Sequence, residues 1–83
     1  MISEISRSTA ERARLLYDAQ LRQPLERDFP NQFVCIEPDS GRHFIAETFD
    51  AAVSAALDAF PDRLTYTIRI SHSAAIHLGV FVQ

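Results

Sequence analysis

Apolar and polar residues alternate along the chain with two different periods, and the switches between them divide it into elements. Ala13, Leu16, Tyr17, Leu21 and Leu25 recur mostly at three- and four-residue intervals, the spacing of one helical face. Upstream, Ser8 and Glu11 have the S-x-x-E spacing of a capping box, so a helix is predicted over about 8–23. Pro24 lacks an N–H and should end or kink it, leaving an irregular passage to Pro30. FVCIE, residues 33–37, is apolar on both faces and rich in β-formers, the pattern of a central covered strand. HFIAE, 43–47, is its predicted neighbour, and Pro38, Asp39, Ser40 and Gly41 between them supply turn chemistry. In that hairpin Pro38 fixes the entry, Asp39 and Ser40 bond to nearby backbone, and Gly41 takes the left-handed position.

Thr48 is a good N-cap, Asp50 suits the first turn, and Phe49, Ala52, Val53, Ala56, Leu57 and Phe60 follow at helical spacing. A helix is predicted over about 49–60, stopped by Pro61. LTYTIRI, 64–70, alternates as a strand with one face in the core: Leu64, Tyr66, Ile68 and Ile70 on one side, Thr65, Thr67 and Arg69 on the other. Residues 76–82 fit either a fourth strand or an arm that pairs with another subunit. The expected fold is α+β, an N-terminal helix then ββαβ(β), with a mainly antiparallel sheet packed against helices in a single domain, 1–83.

Composition narrows the function classes. With 83 residues, 47% of them hydrophobic, the chain is small for a self-sufficient core, and association would help it. Its charge of −3 is uneven: residues 1–30 carry five Arg against five acids, whereas 31–83 carry three Arg against six. On the first helix Arg7 with Glu11, Arg14 with Asp18 and Asp18 with Arg22 are spaced for local neutralisation. Without a basic patch, nucleic acid is not the expected partner. No apolar run approaches a membrane span, and the N-terminus has neither the apolar core nor the cleavage site of a leader. Cys35, the single cysteine, sits in an apolar run as a buried hydrophobe. A cytoplasmic protein is expected.

Asp39-Ser40-Gly41 also has the form of an aspartic-protease loop, and Ile76-His77-Leu78-Gly79 the form of its supporting segment. That fold is almost entirely β, however, whereas two stretches here have helical period, and Arg42 beside the dyad would hold both carboxylates ionised when one must be protonated. His43, His72 and His77 with Cys35 lack close ligand spacing and an adjacent acid, so no metal or cofactor is expected. Ser71 and Ser73 flank His72 without a nucleophile elbow or oxyanion loop.

The stretch FVCIEPDSGRHFIAETFDAAVSAAL resembles a family of short, uncharacterised bacterial proteins with the pattern V-A-I-E-P-D-S-G-x-Y-F-x-G-x-T. An Ala-rich helix, a Pro-Asp-Arg turn, a strand ending Arg-Ile, and a His before a near-terminal Gly follow in that pattern. Here they correspond to Val34–Gly41, Phe44, Thr48, Pro61-Asp62-Arg63, Arg69-Ile70, His77 and Gly79, so the likeness covers roughly residues 15–80. The family brings no established activity; its genes resemble toxin–antitoxin-like pairs, which implies a protein partner. The chain is also similar, more loosely, to HicB-type antitoxins in its ββαβ order. It departs from them in Ala46-Glu47 for Gly-Asp, Ala51-Ala52 for Glu-Ala, and a helix where their first strand would be.

These observations converge on a non-enzymatic interaction module, a homodimer and antitoxin-like, that binds a partner protein through a sheet edge or the N-terminal helix. The interface candidates are Tyr17, Leu21 and Leu25 on the helix and Val80, Phe81 and Val82 in the tail. The alternatives are a small hydrolase using Asp39 and a nucleic-acid-associated regulator using Arg7, Arg12, Arg14, Arg22 and Arg27.

Overall fold

The computed structural model of the chain describes residues 4–71. The elements run α1 (Glu4–Leu16), a π-helical turn (Tyr17–Leu21), α2 (Arg22–Asp28), β1 (Phe33–Glu37), β2 (Arg42–Ala46), α3 (Phe49–Ala59) and β3 (Tyr66–Arg69). The α+β architecture expected from the sequence is present, with an antiparallel sheet in the order β2-β1-β3. The proposed strand at 76–82 lies outside the described residues.

The first helical region is longer than its pattern predicted, at both ends. Ser8 lies inside α1, more than a turn past its start, so it is not an N-cap. Ser and Thr cost at most about 0.7 kcal/mol each in a helix interior relative to Ala, too little to stop propagation through them. Nor does Pro24 end the helix. The π turn carries the chain past it: the Arg22 N–H bonds to the Tyr17 carbonyl, five residues back. Pro24 then falls at the third position of α2, just past the π turn, where the altered bonding step takes up its missing N–H. The helix closes at Phe29, whose N–H bonds to the Leu25 carbonyl at 2.7 Å, and Asn31 at φ 70 turns the chain into β1.

β1 is central and covered on both faces, as its composition requires. Val34 and Ile36 join Tyr66 and Ile68 of β3, Ile70 just after it, and Ala13, Tyr17 and Leu25 of the helical layer, in one core. Cys35 faces the other way, onto Ala52 and Ala56 of α3, with Phe33, Phe44 and Val53 around it. The side chains of Ala52 and Ala56 let α3 approach the sheet closely, and Thr48 caps it by accepting the Ala51 N–H at 3.1 Å. Leu57 remains largely exposed, so the apolar stripe of α3 is narrower than its spacing implied.

In β3 one expectation is revised. Tyr66, Ile68 and Ile70 enter the first core, but Thr67 on the opposite face is also fully buried, opposite Cys35 in the register. The alternating pattern reported polarity; the third layer supplied by α3 makes even the polar face interior. Leu64, expected inside, is 40% exposed and precedes the strand.

Candidate functional site

The hairpin turn between β1 and β2 is organised by a residue that the pattern assigned only to a strand end. Glu37 is 1% exposed, and its carboxylate accepts the N–H groups of Asp39 at 3.0 Å and Ser40 at 2.8 Å. Arg63, in the loop between α3 and β3, donates to the same carboxylate at 3.3 Å. Burial, the largest single influence, pushes the Glu37 carboxyl up. The Ser40 side chain and N–H, the Asp39 N–H and the Arg63 guanidinium together outweigh it and hold the group below the ordinary glutamate range.

The remaining turn bonds are local. Ser40 Oγ donates to the Glu37 carbonyl at 3.3 Å and accepts the Arg42 N–H at 3.1 Å, and the Gly41 N–H bonds to the Glu37 carbonyl at 2.9 Å. Gly41 has φ 80, the left-handed position predicted for it, and Pro38 opens the turn. Asp39 differs from its expected role. Its side chain leaves the turn and takes Arg12 of α1 at 2.5 Å, with Arg63 at 3.9 Å. The signal that could have found this is the acid just before Pro-Asp-Ser-Gly, within reach of two N–H groups that a turn leaves unbonded.

Around these residues lies a half-open cleft of about 300 Å³, lined by Ser8, Thr9 and Arg12 of α1, by Asp39, and by Asp62 and Arg63. Arg12 and Arg63 both pair there with Asp39. Arg63 stands between Glu37 and Asp39, which makes an ion-pair cluster, whereas a catalytic dyad requires two carboxyl groups in mutual contact. Beside it, Phe60 carries Arg42 at 5.4 Å and Arg63 at 5.6 Å from its ring centre, and meets Phe44 edge-on at 6.2 Å. Arg63 thereby ties the hairpin to the end of α3. It was legible in the sequence only as part of a turn.

The other candidates fall in separate places. Tyr17 and Leu25 are buried in the core at 2% and 5% exposure, and Leu21 packs against the same cluster. The helix face expected as an interface is therefore spent inside the chain, because the sheet needs a cover on that side. Val80, Phe81 and Val82 lie outside the described residues, as do His72 and His77. His43 is half-buried on β2, and burial lowers its pKa. Cys35 is fully buried. Among the described residues no group of three His, Cys, Asp or Glu stands close enough to hold a metal ion, and no helix is long and apolar enough to cross a membrane. Arg14, Arg22 and Arg27 each have a carboxylate on their own helical region, Asp18, Asp18 with Glu26, and Asp28 respectively.

Two sheet edges, β2 and β3, face no strand among the described residues; Tyr66, Thr67 and Ile68 of β3 are buried, whereas the residues of β2 are not. Among the described residues β2 pairs only with β1, so its outer row of N–H and C=O groups faces no strand. His43, Phe44, Ile45 and Ala46 are each only partly buried, on both faces of that edge. No family model matches the chain, and no characterised protein or solved structure matches it either.

Proposed function

We propose that this protein is a non-enzymatic interaction module that takes a strand of a partner polypeptide on the outer edge of β2. One observation carries it: among the described residues, a five-residue edge strand that pairs on one side only, partly exposed on both faces, at the side of a sheet whose central strand is covered. Such an edge is a template for β-augmentation, in which main-chain hydrogen bonds give affinity and flanking side chains give specificity. Of the two surfaces the sequence suggested, the edge is favoured because the N-terminal helix has committed Tyr17 and Leu25 to its own core. An antitoxin-like role in the bacterial cytoplasm, neutralising the product of an adjacent gene, is the concrete form of the proposal. The buried free thiol of Cys35 accords with a reducing compartment.

The test is amide hydrogen exchange on the protein alone and in complex with the product of the adjacent gene, co-expressed and co-purified. Amides of residues 42–46 that point away from β1 should be protected in the complex relative to the chain alone at a dilution where it is monomeric. A complex in which they exchange as in the free protein, with protection gained on the helices instead, refutes edge addition.

A further inference from the structure

Resting on the strand-addition proposal, we infer that in the protein by itself a second copy of this chain is the occupant of the β2 edge, joined antiparallel about a two-fold axis at Phe44, and that a partner strand takes its place. The inference starts from the faces of β2. Phe44 lies opposite Cys35 and packs in the cluster with α3, whereas Ile45 lies opposite Val34 and packs against the cluster beneath α1. Arg42, Phe44 and Ala46 therefore share the α3 side, and His43 and Ile45 the other. The α1 side is thin at this edge: Ile45 is partly exposed while Val34 beside it is fully buried.

Two copies that continue one sheet about a perpendicular two-fold keep each face on its own side. Directly opposed residues must then point to the same face, so the axis passes through a residue, and three registers near the strand centre satisfy this. Centred on Phe44, all five residues of both strands pair. Phe44 meets its copy, His43 meets Ile45 of the second copy, and Arg42 meets Ala46. Aromatic stands against aromatic, a long side chain against a small one, and no like charges oppose each other. The partly buried Ile45 gains a cover on its thin side. Centring on His43 or Ile45 leaves only three strand residues paired on each side, and the His43 register sets two imidazoles against each other. The edge is thus self-complementary in length, volume and charge, and that identifies the second copy as its occupant.

Cysteine pairing reads the register directly. In a Cys35→Ala background, His43→Cys and Ile45→Cys proteins are mixed in equal amounts and oxidised, and the disulfide-linked species are identified by mass. At the Phe44 register, positions 43 and 45 of opposite copies lie about 4.5–5.5 Å apart at Cβ, and like positions about 7–8 Å apart. The mixed 43–45 species should therefore exceed both homodimers by roughly tenfold, beyond the excess that random pairing gives. Dominance of the 45–45 or 43–43 species overturns this register. Absence of any cross-link, with sedimentation as a monomer at about millimolar chain, where a contact of biological strength would populate the dimer, overturns the second copy as occupant. The adjacent-gene exchange experiment would still decide strand addition by itself.

Discussion

Replacing Glu37 by Gln tests the account of the hairpin most sharply, because it keeps the side chain's shape and removes its charge. The wild-type carboxylate takes two turn N–H groups and the Arg63 guanidinium. In the amide, one oxygen still accepts, while the NH₂ faces a backbone N–H and cannot bond to it. Hydrogen bonds to a charged group are worth about 1.5–3 kcal/mol each, and a buried donor left unpaired costs about 1–3 kcal/mol. Because the donors are only partly buried and water can reach the turn, about 2–3 kcal/mol is expected at pH 7. In a domain of this size that lowers Tm by roughly 10–20 °C, at about 4–8 °C per kcal/mol. The pH dependence follows from the sign of the shift. Glu37 has its pKa lowered in the folded chain, so the unfolded chain binds more protons in acid. Its stabilisation is full above the ordinary glutamate value of about 4.3 and is lost as pH falls through the folded value below that. Thermal and urea unfolding at pH 7 and in a series below pH 4.5 would check both parts, and Glu37→Gln should flatten the acid limb as well as lower the plateau. A variant within about 0.5 kcal/mol of wild type at pH 7, with an unchanged acid limb, would refute the assignment of Glu37 as the turn's organiser.

Asp39→Asn should cost no more than about 1 kcal/mol in urea unfolding, since both partners of its pair with Arg12 are about half exposed. A peptidase assay on that variant separates the alternative hydrolase, which would lose all activity with it. Gly41→Val should destabilise by at least about 1–2 kcal/mol through its backbone alone, because φ is 80 there while open space surrounds an added Cβ. Gly41→Asn, which tolerates that φ, should recover most of the loss in the same melts. Thr67→Val should raise stability by about 1 kcal/mol, because the buried Thr67 hydroxyl has no hydrogen-bond partner among the described residues and the replacement has the same shape.

The sequence by itself determined the elements that depend on local chemistry. Thr48 capping α3, Gly41 in its left-handed turn, and FVCIE as a doubly covered strand are consequences of residue types and periods at neighbouring positions. Tertiary structure decided whatever depends on residues distant in sequence. Pro24 was expected to end or kink the helix; it does not end it, because a π turn accommodates it and packing of Tyr17 and Leu25 on the sheet rewards continuing the helix past it. Those same apolar residues could serve a core or an interface equally well by pattern, and only the position of the sheet chose the core. Glu37 and Arg63 are 26 residues apart, and nothing local to either tells that a guanidinium from beyond α3 reaches the hairpin carboxylate. Asp39 was drawn out of its turn by Arg12, 27 residues away. Periodicity reports which face of an element is apolar, and ion pairs and sheet edges arise only when folding brings separate elements together.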